Sequence, residues 1–299
     1  MSAGVDLRKL ALVARFELAE ALRSRLVVVV LALYGAGAGL GAYIFSRTLE
    51  VAEERVREAL LAGGGAQAVP DDLVRQQALP RVIAFLVADP ALQRELLDVE
   101  PLALFYGFMA LALVAPVVLL TSGGAHASEI ASGGSRFVLT RVDRLSWSLG
   151  KLAGHALLLL VGLLVGALAT ALVAQLGRGI DMGSVLWLVR ASLRAWVYGL
   201  AYLGIFSCVA LLVRAPSGAR AVSVALLFLL WIMRSVCKSS LVAARFPLLG
   251  QLVWLFPAEH ELGLWSPRWL ESLAASGALL GIGAGAFGLG YARFRRGDA

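Results

Sequence analysis

The sequence predicts an all-α, polytopic membrane protein with six transmembrane helices, an N-terminal amphipathic interfacial helix and a helical external loop. Of its 299 residues, 60% are hydrophobic and 16% charged, against roughly 45–50% and about 25% in a soluble domain. Lipid must therefore solvate most of the chain. The apolar residues gather in six runs, none of which holds an Asp or Glu. The charges between the runs are sorted by sides, as membrane insertion requires.

Residues 1–25 are charged but periodic. Leu7, Leu10, Ala11, Ala14, Leu18, Ala21 and Leu22 share one side of a helix, with Arg8, Arg15 and Arg23 beside them. This is the pattern of a helix lying on a membrane surface. The first span follows at Leu26–Phe45, too long an apolar run for a cleavable signal, and reads as an uncleaved anchor. The next spans are Pro101–Leu120, Leu152–Leu176 and Ala195–Val213. The fifth starts near Ala221 and meets Arg234 early, so Arg234 and Lys238 are expected to snorkel to the outer interface. Residues 239–271 follow, with Ser239–Ala258 broken by Pro247 and Pro257, and read as a re-entrant or interfacial region. The last span is Ser272–Tyr291, so residues 1–299 form one transmembrane domain.

With both termini in the cytoplasm, the inside segments carry 14 basic and 6 acidic residues, and the outside segments 13 and 14. The net +7 thus belongs to the inner membrane face, and its distribution argues against nucleic acid as a partner. Only Lys9, Lys151 and Lys238 are lysines among the basic residues. That skew, with abundant Ala, Gly and Leu, suits a GC-rich bacterial source and a cytoplasmic (inner) membrane.

The external loop, residues 46–100, is acidic. Leu49, Ala52, Val56 and Leu60 extend the first helix outward until Gly63–Gly65 breaks it. Asp71-Asp72 and Asp89-Pro90 read as helix starts, where carboxylates cap free N–H groups, and no calcium-loop spacing is present. Glycines recur four apart at Gly35/Gly39, Gly37/Gly41, Gly162/Gly166 and Gly277/Gly281/Gly285, a spacing that lets helices pack closely in lipid.

The absence of carboxylates from the spans leaves no group to take up a coupling ion at mid-membrane. No GxxxxGK[ST] motif is present, so nucleotide hydrolysis must belong to another chain. An intramembrane hydrolase is disfavoured: Ser207 has no glycine-flanked setting, His126 and His260 lie in loops, and His155 reads as a helix-packing group. There is no HExxH, Cys208 and Cys237 form no framework, and Met109, Met182 and Met233 are scattered, so no metal site is expected.

What remains is the cytoplasmic segment 121–151. After a glycine-rich opening it carries Glu129, Arg136, Arg141, Asp143 and Arg144, with Val138, Val142, Leu145 and Leu149 at helical spacing. This predicts a short amphipathic helix under the membrane. The chain here resembles the ABC-2 type permeases, including the branch named for maturation of multicopper enzymes. These show a glutamate after the second span, a Gly-Thr, a Pro-Val-x-Arg, and a Gly-Lys opening the third span. Glu129, Gly133-Gly134, Val142-Asp143-Arg144 and Gly150-Lys151 occupy those places. The proline is replaced by Arg141, no threonine follows the glycine, and a second acidic residue near Glu129 is missing.

The resemblance implies a permease without catalytic residues or a cofactor of its own. A separate ABC ATPase subunit would bind ATP and Mg and contact Glu129, Arg136, Arg141, Asp143 and Arg144. A second permease chain, identical or not, would complete the pathway in membrane lipid. The alternative is a non-transporting membrane subunit that relays ATP-driven motion to an extracytoplasmic partner on loop 46–100.

Overall fold

The computed structural model describes residues 6–64, 74, 80, 83–84, 90–97, 99–177, 179–213, 215–239, 251–266 and 268–296. Among the described residues there is no strand, and six helices are long and apolar enough to cross a membrane. In chain order the helices are α1 (Leu7–Arg23), α2 (Arg25–Gly64), α3 (Pro90–Glu95), α4 (Pro101–Ser122), α5 (Ala125–Ser132), α6 (Gly134–Leu139), α7 (Arg144–Gly177), α8 (Met182–Leu212), α9 (Pro216–Lys238), α10 (Glu261–Trp265) and α11 (Trp269–Arg296). The spans are α2, α4, α7, α8, α9 and α11.

Asp6 starts α1, its side chain accepting the N–H groups of Arg8 and Lys9 at 3.1 and 3.3 Å. The helix is amphipathic in two directions. Val13, Ala14, Glu17 and Ala21 are buried against the protein, whereas Leu7, Leu12, Phe16 and Leu22 are exposed. The expected apolar stripe is therefore divided, and α1 is more than a surface helix. The first span is continuous with its outward extension, α2 running to Gly64.

The fifth span begins at Pro216 rather than near Ala221. Proline suits a first helical position, where its missing N–H goes unused. The resulting 23 residues reach about 34 Å, enough to cross a core of about 30 Å. Arg234 and Lys238 are thus ordinary end residues of a full-length span, and both face Glu259 instead of simply reaching for water. Of region 239–271, residues 251–266 hold two short 3₁₀ turns, Leu252–Leu255 and Pro257–Glu259, and α10. Trp254 and Leu255 are exposed there. Pro247, Asp71, Asp72 and Asp89 lie outside the described residues, but α3 does begin at Pro90.

The chain divides into two compact units. In the unit made of Met1–Leu31, Leu113–Val161 and Arg194–Ala299, α8 and α11 pack backbone to backbone. A Cβ added at Gly204 would collide with the Gly283 carbonyl, and one at Gly290 would lie 2.7 Å from Cys208 Cα. These contacts fall at Gly283 and Gly290, on a different arc of α11 from Gly277, Gly281 and Gly285, whose added Cβ atoms would meet nothing within 4 Å among the described residues. In the unit made of Ala32–Ala112 and Gly162–Leu193, α2 and α7 meet at small residues. A Cβ at Gly35 would lie 2.9 Å from Val165, and one at Gly39 3.6 Å from Ala169. Gly166 makes room for the Tyr34 ring, and Gly162 is buried. Tyr106 donates its hydroxyl proton to the Leu163 carbonyl at 2.5 Å and lies 3.0 Å from Ser192 Oγ, a polar tie among three helices in an apolar setting.

Candidate functional site

The connection between the second and third spans is two short helices rather than one. α4 ends at a Gly123-Gly124 turn, and α5 is closed by Gly133, whose φ of 74° is one that side chains on Cβ disfavour. α6 follows at once and ends before Thr140. The residues expected as one amphipathic helix are thus split, Val138 on α6 and Leu145 and Leu149 on α7. Val138, Val142 and Leu149 still converge on one core, in which Val142, Trp147, Val13, Leu211, Phe287 and Phe294 are buried and against which Val138 and Leu149 pack. Asp143 caps α7 by accepting the Ser146 N–H at 2.8 Å. Burial works against its charge, but the Ser146 bonds outweigh it and hold the carboxyl below its ordinary range.

The root of this connection is a buried ionic cluster. Lys151, 2% exposed at its side chain, places Nζ 2.5 Å from Glu17 Oε2 and 2.6 Å from Glu129 Oε1. The other oxygen of Glu129 accepts the Trp147 indole N–H at 3.0 Å. His155 Nε2 lies 3.0 Å from the second oxygen of Glu17, and the Lys151 ammonium sits 6.0 Å from the Trp147 ring centroid. Burial alone would raise the Glu17 carboxyl, yet the His155 contact and the Lys151 charge overcome it and bring it down to about 2. The cluster joins three helices: α1 through Glu17, α5 through Glu129, and α7 through Trp147, Lys151 and His155.

Glycine makes the approach possible. A Cβ at Gly150 would lie 2.6 Å from Val13 Cβ, and one at Gly154 2.9 Å from the Ala14 carbonyl. α1 is thereby seated on α7, with Asp6 donating its N–H to Ser146 Oγ at 3.3 Å. Glu17, Glu20 and Glu129 present carboxylate oxygens within 4.8 Å of one another. The Lys151 ammonium already supplies the cation between Glu17 and Glu129.

The outward face is built differently. Arg136, Phe137, Thr140 and Arg141 are exposed, Phe137 to 81%. Arg144 turns away from them, donating to the Arg295 carbonyl at 2.9 Å and lying 5.8 Å from the Phe294 ring centroid. Of the five residues expected to meet a partner, Arg136 and Arg141 therefore face outward together, Asp143 caps a helix, Arg144 ties α7 to α11, and Glu129 points inward. Sequence reasoning passed over Glu17, Phe137, Trp147, Lys151 and His155 as site residues. Glu17 had a signal: it is the one carboxylate on the arc of α1 shared by Leu10, Val13, Ala14 and Ala21.

No curated protein matches this chain. A family model described as ABC-2 family transporter protein matches residues 11–246. That stretch holds the buried cluster, the outward face and the first five spans. The match singles out no branch of the family. With more than three quarters of its length matched, the chain belongs to the ABC-2 family of transporter proteins.

Proposed function

We propose that this chain is the permease half of an exporter, with both termini in the cytoplasm of a bacterial inner membrane. Two permease chains would stand on two copies of the ATPase that holds ATP and Mg. Family membership makes the chain the membrane-spanning part of an ABC transporter, which works in lipid with an ABC ATPase. The observation that carries the finer reading is the exposed set Arg136 and Phe137 on α6 and Arg141 in the turn after it, in the same connection whose root is the buried Lys151 cluster. An aromatic flanked by guanidinium groups has the composition of an interface anchor, and the charges suit an acidic partner surface. Glu129, Trp147 and Lys151 are positioning residues that keep this set rigid against α7.

The test is recovery of the ATPase with the tagged chain in mild detergent. Phe137→Ala should weaken the complex by about 2 kcal/mol, roughly thirtyfold. Arg136→Glu with Arg141→Glu should weaken it further, mainly by slowing association. Glu129→Lys, which sets a second cation against Lys151, should retain the ATPase but uncouple its hydrolysis from transport. Wild-type ATPase recovery by both surface variants, at normal expression, would refute this surface as the dock. Recovery of the wild-type chain alone, under conditions that preserve a known ABC complex, would refute the exporter reading.

The length of α2 favours keeping a second reading. Its 40 residues span about 60 Å, twice a hydrocarbon core. A protruding helix of this length suits a subunit that relays motion to an extracytoplasmic partner. Deleting residues 63–88 would then abolish partner capture and spare ATPase coupling, whereas the exporter reading expects no captured partner.

A further inference from the structure

Span α9 is fully buried only near its two ends, which a narrow seam of half-buried Leu226, Leu227 and Leu230 joins. Its buried residues are Ala219 and Ser223 near the start and Cys237 near the finish. Val224, Phe228, Leu229, Trp231 and Ile232 in the middle are all exposed. A helix of this kind turns most of its middle outward and is held most firmly at its ends, because lipid offers no hydrophobic drive to press a narrow seam against its neighbours.

The contacts at the two ends differ in kind. At the start, Ala219 packs with Ala127 of α5 and Ala210 of α8. A Cβ on Gly124 would lie 3.3 Å from the Pro216 carbonyl. The start of α9 is thus seated on the same short helix that carries Glu129. At the finish an ionic clasp adds to the packing of the Leu252–Leu255 turn on α9: Glu259 Oε2 lies 2.7 Å from Lys238 Nζ and 3.5 Å from Arg234 Nε. One carboxylate thereby receives two cations from successive turns of α9.

Glu259 belongs to a segment fixed elsewhere. Arg194 of α8 donates to the Ser266 carbonyl at 3.3 Å. Leu264 and Trp265 are buried, and a Cβ on Gly263 would lie 2.9 Å from Ala275 of α11. The segment therefore rides on α8 and α11; among the described residues its ion pairs to α9 are made by Glu259, and Glu261 of the same segment also feels the Arg234 charge. The partners in that link are partly exposed, at 44%, 26% and 20% for Lys238, Arg234 and Glu259. An ion pair so exposed contributes modestly and can be released.

We infer that α9 is a connecting rod between the ATPase-facing connection and the opposite side of the membrane, and that Glu259 is the positioning residue at its far end. In the resting state Glu259 clasps residues 251–266 to Arg234 and Lys238. Displacement of α5 moves the start of α9, draws its finish away and frees the segment. The inference rests on the permease reading, because it needs an ATPase to move α5.

The test is hydrogen exchange of residues 252–265 in the permease–ATPase complex in nanodiscs, without nucleotide and after trapping with ATP, Mg and vanadate. In the wild type, trapping should speed exchange of this segment about tenfold, a shift corresponding to about 1.4 kcal/mol of lost protection. Glu259→Gln should exchange fast already without nucleotide and respond little to trapping. The swap Lys238→Glu with Glu259→Lys should recover part of both the protection and the response, Arg234 being left facing a cation, and a merely structural role for Glu259 would not require this. If Glu259→Gln does not fold, Glu259→Asp, with its shorter reach, should fall between. Exchange that ignores trapping in the wild type while the ATPase turns over, or a Glu259→Gln complex that responds as the wild type does, would overturn the clasp alone. Absence of any ATPase from the purified wild type would overturn the permease reading, and the rod with it.

Discussion

Replacing Lys151 with methionine removes one charge and leaves two behind. Glu17 and Glu129 would then face each other across a site whose former occupant was 2% exposed, with carboxylate oxygens within 4.8 Å. At that separation two like charges repel by about 3.5 kcal/mol for an effective dielectric near 20. Removing one partner of a buried ion cluster independently costs about 3–5 kcal/mol. The cost should fall on the seating of α1, because Glu17 is carried by α1 while Lys151 stays on the long helix α7. Val13 reports this seating, being buried against Gly150. A Val13→Cys probe, with Cys208 and Cys237 replaced by serine, should react with a maleimide at least roughly 100-fold faster when Lys151 is methionine. The ceiling is set by protonation of one carboxyl, which would relieve the repulsion. Replacing Glu17, Glu129 and Lys151 together with methionine should return the rate to within a few-fold of wild type, since apolar groups of similar volume often stand in for a buried ion cluster without loss. Equal labelling rates in the wild type and the single variant would refute the claim that Lys151 holds α1 in place.

The depressed Glu17 carboxyl predicts a pH response with a definite sign. Its folded value of about 2 lies below the ordinary 4.5, so its contribution is whole above about pH 4.5 and is lost as the pH falls through 2. Amide protection of α1, corrected for intrinsic rates, should therefore stay level from pH 8 to 5, and loss of protection within that range would contradict the pairing. Gly150→Val tests the same seating with every charge kept. Its new Cβ would lie 2.6 Å from Val13 Cβ, an overpacking that costs about 1–3 kcal/mol. Labelling at Val13→Cys should accelerate in proportion, and an unchanged rate would show that α1 does not rest on Gly150.

The six spans were legible because lipid imposes a rule that one sequence can satisfy visibly: about 20 apolar residues per helix, with basic residues kept to one side. The start of the fifth span was misread for a physical reason. Pro216 to Arg220 looks like a polar turn, yet proline is welcome in a first helical turn and arginine at an interface. Glycine spacing exposed which helices pack closely but not on which side. α11 carries Gly281, Gly283 and Gly285 within two turns, and only contact geometry shows that Gly283 meets α8 while a Cβ added at Gly281 or Gly285 would meet nothing within 4 Å among the described residues. The outward arginines were readable as charges in a connecting segment. Arg144 was not separable from them, because its partner is a backbone carbonyl 151 residues away. Glu17 was hidden more deeply: on a charged helix its carboxylate looks like one more solvated group until α7 supplies Lys151 and His155 against it.

The motif that carried the family resemblance has a physical unity that its spacing conceals. Glu129 and Gly150-Lys151 are separated by 21 residues, yet they meet at one point with a third helix. Glycine sets the distance: without a Cβ at 150, α1 comes close enough for Glu17 to reach the ammonium. Lysine supplies the charge that makes two inward carboxylates tolerable. Trp147, one turn earlier on α7, holds the second oxygen of Glu129 and packs on Phe294 of the last span at 5.5 Å between ring centroids. A short helix such as α6, only six residues long, has little stiffness of its own. A load applied at Phe137 can reach the membrane only through what lies behind it. Among the described residues that backing is the buried core around Val142 and Trp147 together with the Lys151 cluster. The two halves of the motif are therefore constrained together, since an inward glutamate without its lysine leaves a buried charge and a lysine without its glycine loses α1.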